Sequence, residues 1–375
     1  MTPDDTSLSI RMLTHSVQMP LAQPFTISRG SITKQSSLIV ELKLTENANA
    51  AETANGGHAS PVHVISGFGE VTANRYYGHS LESIRLSLDK VRPHLDQYLT
   101  GTPESTWSIM KQILADDYFA LSALDAAAHD LFAKRLKTST WNRWGLSIDH
   151  VPESSFTIGI DSIDMMISKL NSMDGWNCYK IKLGTADDIE VIRQLRRQTS
   201  STFRVDANCG WTAVQTIENS GHLADLGVEF IEQPMSPSAS EAEKKLVFEQ
   251  SALPIIADED CQTEHDVARC REYFHGINVK LCKCGGMTPA LRMLQYARTL
   301  GMKTMLGCMV ESSIGISSAA QLLPLLDYAD LDGALLLADQ PATGVQISHG
   351  RVVFPNTAGN GGQLLRDKLD QFAIS

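Results

Sequence analysis

Six charged residues recur at nearly even spacing in the middle of the chain, and their types could perform chemistry together. They follow or close short apolar runs, and they are Lys180, Lys182, Asp206, Glu232, Asp258 and Lys280. From Lys182 onward the intervals are about 22 to 26 residues, the length that one strand, one helix and two loops require. We therefore expect these side chains at the carboxyl ends of successive parallel strands, which converge on one pocket in a barrel.

The three acids predict a metal site. Asp206, Glu232 and Asp258 offer only oxygen ligands, and such a set suits Mg²⁺ better than Zn²⁺. One acid alone is more simply a solvated charge at a strand end, but three converging acids would repel one another without a cation. We expect one Mg²⁺ per subunit. The alternative is a structural network in which lysines neutralise the acids without metal.

The lysines predict proton transfer. Lys180 and Lys182 are two residues apart on a strand and share a face, where crowding and a nearby Mg²⁺ would lower a lysine pKa toward that of a general base. Lys280 is expected across the barrel from Lys182. Two lysines facing one carbon could move a proton between its two faces. If that carbon carried a carboxylate on the metal, the metal would stabilise the ene-diolate that proton removal leaves.

Several elements must position these groups, and the N-terminal ones are predicted to be strands. Residues 8–44 alternate polar and apolar side chains, as antiparallel strands do. Two prolines and a glycine within residues 20–31 predict a loop between those strands. Residues 45–62 are small and polar, and we interpret them as a mobile insertion in a hairpin.

Helices and a barrel are predicted to follow. We expect helices at about 80–99 and 104–116, then a buried helix from Phe119 that joins a capping domain to the barrel. The barrel is expected to begin near Ser155, and its short eighth strand should end near residues 330–332. The last residues are predicted to form a hairpin and a tail that packs back on the capping domain.

These motifs together resemble the enolase superfamily, and within it the muconate-lactonizing subgroup. The resemblance covers nearly the whole chain and rests on Lys180-Ile-Lys182, Asp206-Ala-Asn208, Glu232-Gln-Pro234, Asp258-Glu259 and Asn278-Val-Lys280 before Gly285-Gly286. It implies an α/β fold, a (β/α)8-type TIM barrel in its modified (β/α)7β form, with an α+β capping domain. The implied domains are a cap at 1–130, a barrel at 131–343 and a C-terminal segment at 344–375 that completes the cap.

Within this subgroup the sequence most resembles dipeptide epimerases of the L-Ala-D/L-Glu type. Those enzymes carry an Asp-x-Asp on strand eight that holds the ammonium of the dipeptide, and Asp330 and Asp332 stand at that position here. Residues 20–31 resemble the substrate-covering loop of the family and place Arg29 to meet an anion. Thr157 is counted with them as a substrate-binding residue.

The implied reaction is a Mg²⁺-dependent inversion of the α-carbon of the C-terminal residue of a dipeptide. Lys182 and Lys280 would carry out a two-base 1,1-proton transfer through a metal-stabilised enolate, with Lys180 in support. Lys283 is a second candidate for the role of Lys280, although the spacing to the glycine pair favours Lys280. The resemblance leaves the preferred side chains of the dipeptide open.

Other functions remain possible from the sequence. In the same subgroup they are o-succinylbenzoate synthase, N-acylamino acid racemase and muconate cycloisomerase, whose substrates carry no free ammonium to face Asp330 and Asp332. From other classes they are a catalytically silent binding barrel and, more weakly, an aldolase that forms a Schiff base. Intact lysines and acids argue against the silent barrel.

Composition narrows the class of protein and its partners. The 375 residues are 43% hydrophobic and carry a net charge of −11 without a Lys/Arg-rich run, which disfavours nucleic acids and membranes as partners. The sequence shows neither a long apolar run nor a signal-peptide pattern, so we expect a cytoplasmic protein. The seven scattered cysteines are interpreted as reduced thiols. The expected partners are a dipeptide and further copies of the chain in a homo-oligomer.

Overall fold

Three antiparallel strands form the N-terminal sheet in a computed structural model that describes residues 7–47, 63–115 and 117–374. The strands, paired in chain order, are β1 Ser7–Ile27, β2 Gly30–Asn47 and β3 His63–Thr72. Strand β2 is buried on both faces, because Leu38 and Val40 pack on nearby helices while Ile39 packs toward the C-terminal part of the chain. The consecutive apolar residues Leu38-Ile-Val40 are typical of a strand segment covered on two sides.

Helices cover one face of this sheet. They are α1 Leu81–Val91, α2 Gln97–Thr100, α3 Pro103–Leu114, α4 Tyr118–Arg135 and α5 Thr140–Arg143, with a 3₁₀ turn at Arg92–His94. Helix α4 is buried on nearly all sides, as its apolar residues on more than one side predict. Strand β3 approaches it so closely that a Cβ on Gly69 would lie 2.1 Å from the carbonyl oxygen of Ala123. Only a glycine leaves room for this approach.

Eight parallel strands follow within the described residues, and they pair in chain order. They are β4 Phe156–Ile158, β5 Cys178–Lys182, β6 Thr202–Asp206, β7 Val228–Glu232, β8 Ile255–Ala257, β9 Gly276–Val279, β10 Lys303–Gly307 and β11 Tyr328–Asp330. A parallel bridge between Ser154 and Ala329 joins the first strand to the last. The sheet thereby closes into a barrel whose core is built from the apolar runs of the strands.

Helices connect consecutive strands of the barrel. They are α6 Ile163–Ser172, α7 Asp188–Arg196, α8 Ala213–Asp225, α9 Glu241–Gln250, α10 Asp266–Cys270, α11 Leu281–Cys284, α12 Met287–Thr299 and α13 Ser313–Ala320. A 3₁₀ turn at Leu323–Leu325 precedes β11. After β11 comes another 3₁₀ turn, Asp332–Leu336, in the place of the helix that would follow the eighth strand. This is the modified (β/α)7β arrangement that the family resemblance implies.

The last segment returns to the N-terminal sheet. Its elements are β12 Ala342–Thr343, β13 Gln346–Ser348, β14 Arg351–Val353, β15 Gln363–Leu364 and α14 Arg366–Phe372. Ala373 forms an antiparallel bridge with Val17 of β1, and Phe372 packs in the same apolar cluster as Val17. The predicted α/β fold, with a tail that completes the capping domain, is confirmed.

The predicted loop at 20–31 is wrong in its local structure. Strand β1 continues to Ile27, β2 starts at Gly30, and only Ser28 and Arg29 form the turn. The pairing register shifts between Pro20 and Phe25, where proline interrupts the ladder, and then resumes. The segment is therefore the tip of a long hairpin, because the residues after the prolines still pair across the two strands.

The remaining predictions concern the domain boundary, the insertion at 45–62, membrane-spanning helices and the cysteines. The predicted domain boundary at 130 falls inside α4, and the boundaries themselves stay predictions. Of the predicted insertion at 45–62, residues 48–62 lie outside the described residues. Within the part that is described, no helix is both long and apolar enough to cross a membrane. All seven cysteines are described, and each is a free thiol.

Candidate active site

The parallel register of the barrel aligns the ends of successive strands. Lys182 pairs with Asp206 across β5 and β6, and Asp206 pairs with Glu232 across β6 and β7. Asp258 comes directly after β8, and Lys280 directly after β9. The charged side chains that recur in the sequence therefore lie at one end of the barrel, where the strands terminate.

Each of the three acids contacts a lysine. Lys182 lies 2.6 Å from Asp206, Lys180 lies 2.7 Å from Glu232, and Lys280 lies 2.7 Å from Asp258. The three acids are fully buried, since at most 1% of any of them is exposed. Asn278 also donates from Nδ2 to Glu232 Oε1 at 2.8 Å. Buried charges require such partners, because isolation from water is costly.

The donor atoms of Asp206, Glu232 and Asp258 are of the type that binds a divalent cation. They present an all-oxygen donor set from three consecutive strands, as Mg²⁺ requires. Glu232 Oε2 lacks an aligned hydrogen bond although Lys180 Nζ is close, so it is available as a donor oxygen. In the described residues, however, no three Asp, Glu, His or Cys side chains are gathered into a metal-ligating group, and the lysine ammonium groups supply the positive charge instead.

Electrostatic coupling among the acids is strong. Burial and then the neighbouring Asp206 raise the pKa of the Glu232 carboxyl to about 7. Burial alone would raise the pKa of Asp206 too, but Lys182 and Lys180 lower it to about 2. Asp206 therefore stays ionised, and its negative charge disfavours ionisation of Glu232. This is expected where several carboxylates share a limited number of lysine partners.

Among these carboxylates Lys180 does not show the lowered pKa that crowding predicts, whereas a lowered lysine pKa beside bound Mg²⁺ stays a prediction. Burial alone would lower the pKa of Lys180 and Lys280. Direct carboxylate contacts outweigh that effect, and they raise the pKa of Lys180, chiefly through Asp330, and that of Lys280, chiefly through Asp258. The sequence placed the lysines near acids but did not show that the acids would touch them.

Lys280 and Lys283 differ clearly in their surroundings. The Lys283 ammonium lies within hydrogen-bond distance of Asp258, through both its carboxylate and its carbonyl, and of the carbonyl oxygens of Cys261 and Asn278. Its side chain is 0% exposed, whereas that of Lys280 is 11% exposed and lines a cavity. Lys283 is therefore saturated with acceptors, and Lys280 is the lysine that a substrate could reach.

Asp330 and Asp332 converge on Thr157 but have different partners. Thr157 Oγ1 lies 3.3 Å from Asp330 Oδ1 and 3.2 Å from Asp332 Oδ1, and the Thr157 N–H donates to Asp332 Oδ2 at 2.6 Å. Asp330 ends β11 and accepts from Lys180 Nζ at 2.8 Å. Asp332 begins the 3₁₀ turn, and among the described residues it makes no ion pair. Burial and then Asp330 raise the Asp332 pKa to about 7.

This corrects the expectation that Asp330 and Asp332 lie on one strand and both lack a positively charged partner. Lys180 already neutralises Asp330, which holds the pKa of that carboxyl below its ordinary value despite burial. Only Asp332 is left with hydrogen bonds but without an opposite charge. The difference arises because β11 ends at Asp330, so the two carboxylates leave the backbone from different local structures.

Arg29 sits at the tip of the long hairpin and is held by the barrel. Its Nη2 lies 2.9 Å from Glu259 Oε1, and its Nη1 lies 3.4 Å from the carbonyl oxygen of Asn208. The guanidinium carbon lies 4.2 Å from the centroid of the Tyr76 ring. Arg29 thus meets an anion, as the sequence suggested, but this anion is a buried side chain of the protein.

A cavity of about 640 Å³ opens between the hairpin and the barrel. Most of the predicted site residues line it, namely Arg29, Thr157, Lys182, Lys280, Asp330 and Asp332. Its volume lies within the range of small-molecule sites, roughly 300 to 1,000 Å³. The structure therefore gathers two lysines from different strands, and two acids at and just after the end of β11, around one space of substrate size.

Known proteins share this architecture. Residues 166–368 match the family model described as enolase C-terminal domain-like, and residues 9–145 match that of the mandelate racemase and muconate lactonizing enzyme N-terminal domain. The chain belongs to this family of the enolase superfamily. It is 46% identical over 95% of its length to the whole L-Ala-D/L-amino acid epimerase of Flavobacterium johnsoniae. It is 44% identical over 92% of its length to 96% of the enzyme of that name from a Maribacter strain.

A solved structure extends the likeness to three dimensions. It is that of a dipeptide epimerase from Cytophaga hutchinsonii, complexed with Mg and the dipeptide D-Ala-L-Val. The TM-score is 0.84, the sequence identity is 26%, and the match covers 97% of this chain and 98% of that one. The family resemblance inferred from the sequence motifs is confirmed.

Sequence reasoning missed several residues that build this family member's site. Glu259 and Asn278 entered only as parts of motifs, yet they contact Arg29 and Glu232. Ser155 donates to Asp330 at 2.9 Å, and its place just before the first barrel strand was the available signal. Tyr76 gave no signal, because nothing in its local sequence indicates that the hairpin tip lies against it.

Proposed function

We propose that this chain is a Mg²⁺-dependent dipeptide epimerase that inverts the α-carbon of the C-terminal residue of its substrate. The chain is an enzyme of the isomerase class. The observation that carries the proposal is one cavity lined by Lys182, Lys280 and Asp332, an acid that makes no ion pair within the described residues. Two bases and a cation-binding acid are the groups that inversion of a dipeptide requires.

Lys182 and Lys280 act as the two bases. They come from β5 and from the end of β9, so they reach the cavity from different sides of the barrel. One lysine removes the α-proton as a neutral amine, while the ammonium of the other returns a proton to the opposite face of the carbon. Lys180, which is 1% exposed and contacts three carboxylates, supports the acids and does not face the substrate.

Asp206, Glu232 and Asp258 would hold the Mg²⁺. When bound, the metal stabilises the negative charge that develops on the substrate carboxylate as the α-proton leaves. Asn278 keeps the Glu232 carboxylate in place, and Lys283 does the same for Asp258. This shell of neighbours orients the donor oxygens before any ligand arrives.

Asp332 would bind the ammonium of the dipeptide. Thr157 fixes both of its oxygens, and a cation between Asp332 and the solvent side of the cavity would compensate the buried charge. The substrate ammonium and α-carboxylate would then hold the reacting carbon between the two lysines. N-acylamino acid racemases and o-succinylbenzoate synthases bind substrates without this ammonium, and they would leave Asp332 unpaired.

The direct test is epimerisation of a dipeptide panel in D₂O, followed by NMR and mass spectrometry. The proposal expects inversion with one deuterium incorporated at the α-carbon of the second residue only. EDTA should abolish turnover, and Mg²⁺ should restore it. Full activity of metal-free protein would contradict the metal requirement, and the absence of turnover with every dipeptide would contradict the function. A cytoplasmic location and a homo-oligomeric state stay predictions from the sequence.

A further inference from the structure

Gln233 directly follows Glu232 at the end of β7 and bonds to the chain on both sides of that strand. Its backbone N–H donates to the carbonyl oxygen of Ile256 on β8 at 2.9 Å, and its carbonyl oxygen accepts from the Cys209 N–H, after β6, at 2.8 Å. Its φ of +34° lies in the left-handed region, which residues with a Cβ rarely adopt. Such a conformation persists only where the surrounding contacts hold it, and these contacts come from both neighbouring strand ends.

The side-chain amide of Gln233 is fully hydrogen-bonded. Its Oε1 accepts from the backbone N–H groups of Asp258 at 2.8 Å and Asp260 at 3.1 Å. Its Nε2 donates to the Met235 carbonyl oxygen at 2.8 Å and to Asp260 Oδ2 at 2.8 Å. Two donors face the oxygen and two acceptors face the nitrogen, so only one orientation of the amide satisfies every contact. The residue next to one candidate metal ligand thereby holds the backbone of another.

A buried ion pair fixes the carboxylate that Gln233 contacts. Lys244 Nζ lies 2.5 Å from Asp260 Oδ1, and it donates to the Pro237 carbonyl oxygen at 2.8 Å. Lys244 belongs to α9, outside the barrel, yet it is only 6% exposed, and Asp260 is only 5% exposed. Removal of one partner of such a pair leaves an uncompensated charge in the interior of the protein. Lys244 therefore holds the Asp260 carboxylate in place against Gln233.

We infer that Gln233, held by Asp260 and Lys244, is a positioning residue that sets the spacing of the three candidate metal ligands. This rests on the metal site of the proposed function. Asn278 and Lys283 reach the carboxylates of individual ligands, whereas Gln233 links the backbone of neighbouring strand ends. The line of contacts begins on the outer helix α9, passes through the ion pair to the amide, and ends at the strands that carry the ligands.

The inference is tested by metal affinity in the absence of substrate. Binding of Mn²⁺ is followed by the loss of the EPR signal of the free ion, and Mg²⁺ and Ca²⁺ are measured by competition against it. Gln233→Leu should weaken Mg²⁺ binding by about 10- to 100-fold, the range usual for groups that orient metal ligands. Binding of Ca²⁺ should weaken less, because Ca²⁺ accepts longer and more varied oxygen contacts than Mg²⁺ does. The ratio of the two affinities therefore reports the spacing of the ligands, which a general loss of stability does not change in the folded protein.

Variants of the ion pair test whether Lys244 acts through Gln233. Lys244→Met should weaken Mg²⁺ binding by about 10-fold, since the buried Asp260 carboxylate then loses its cation. Addition of Asp260→Asn to Lys244→Met removes that charge but keeps an acceptor oxygen for Gln233, so it should restore most of the Mg²⁺ affinity. The matched control is Lys245→Met, which removes the neighbouring cation on α9. The Lys245 side chain is 51% exposed and pairs with Glu249, so this variant should bind Mg²⁺ as the wild type does.

The outcomes separate the role of Gln233 from the metal site on which it rests. A wild type that binds neither Mn²⁺ nor Mg²⁺ would contradict the metal site and this role together. Metal binding by the wild type, with an unchanged ratio of Mg²⁺ to Ca²⁺ affinity in Gln233→Leu, would overturn the role of Gln233 alone. So would equal losses of affinity in Lys244→Met and Lys245→Met. Thermal unfolding checks that each variant is folded. If Gln233→Leu does not fold, the ion-pair variants decide, and a double variant that recovers no Mg²⁺ affinity would overturn the inference.

Discussion

Thr157 holds the carboxylate of Asp332 at both oxygens, with its N–H 2.6 Å from Oδ2 and its hydroxyl oxygen 3.2 Å from Oδ1. The first barrel strand thereby fixes an acid that follows the last one. A threonine can satisfy the hydrogen-bonding capacity of a carboxylate, but it cannot neutralise its charge. The geometry therefore favours a cationic ligand at Asp332, and it gives Thr157 a supporting role in ligand binding.

Removal of the substrate ammonium should harm binding at Asp332. An N-acetylated dipeptide keeps the α-carboxylate and the α-proton but leaves Asp332 without a cation. The cost should be on the order of 2 to 5 kcal/mol, or about 30-fold or more in kcat/KM. The measurement compares free and N-acetylated dipeptides on the wild type and on Asp332→Asn. Asp332→Asn should lose most of the difference in kcat/KM between the free and the N-acetylated dipeptide. Equal turnover of both substrates by the wild type would favour a racemase of N-acylated amino acids instead.

The pairing of Arg29 with Glu259 predicts that the two residues act together. Loss of either partner should loosen the hairpin tip over the cavity and raise KM by about 3- to 10-fold, with a smaller change in kcat. Because they share one contact, the double variant Arg29→Ala with Glu259→Gln should be no worse than the poorer single variant. Kinetics over a dipeptide panel measure this. Strictly additive effects, or a loss confined to acidic dipeptides in Arg29→Ala alone, would place the guanidinium on the substrate.

The sequence was sufficient to place the strand ends. Apolar runs repeat at the spacing of a βα unit, and only residues at the same phase of that repeat can converge. Lys182, Asp206 and Glu232 follow this rule, and their backbone pairing in the barrel agrees with it. The prediction succeeded here because it required only the backbone period and the direction of parallel strands.

The sequence was insufficient to predict the contacts of a side chain that has several possible partners within reach. Lys180 could have faced the substrate or the acids, and it reaches past β4 to Asp330 on β11, 150 residues away in the chain. Nothing local encodes that choice, because it depends on which carboxylates remain without a cation after the strands assemble. The prediction of a loop around Arg29 failed for a related reason. The prolines indicate a break in the strand, but they do not show that the residues after the break pair again with β2.

Glu41 should make the anchoring of the C-terminal segment sensitive to acid. Its side chain is 0% exposed and contacts His15, Arg366 and Ser66. Burial alone would raise its pKa, but these three partners lower the pKa of Glu41 to about 2 from 4.5. A lowered carboxyl pKa stabilises the folded state above the unfolded-state value, and this stabilisation is lost as the pH falls from about 4.5 toward 2.

The expected contribution of Glu41 is about 2 to 3 kcal/mol, after allowance for the exposed position of Arg366. Urea unfolding at pH 5 and pH 3 measures the free energy of unfolding of the wild type and of Glu41→Gln. The difference between the two proteins should be large at pH 5 and smaller at pH 3. Arg366→Gln should show a weaker form of the same behaviour. Parallel pH dependences for wild type and Glu41→Gln would contradict the assignment.

Lys182 and Lys280 should act on opposite faces of the α-carbon. Each alanine variant should lose epimerisation by about 10²- to 10⁴-fold, because one of two proton-transfer groups is missing. Each should still exchange the α-proton of one diastereomer with solvent, and the two variants should select opposite diastereomers. Proton NMR in D₂O with L-Ala-L-Glu and L-Ala-D-Glu measures this exchange. The comparison variant is Lys283→Met, which removes a cation from Asp258 but not from the cavity, and it should slow both diastereomers alike. Normal turnover in either alanine variant, or face selection in Lys283→Met, would refute the two-base scheme.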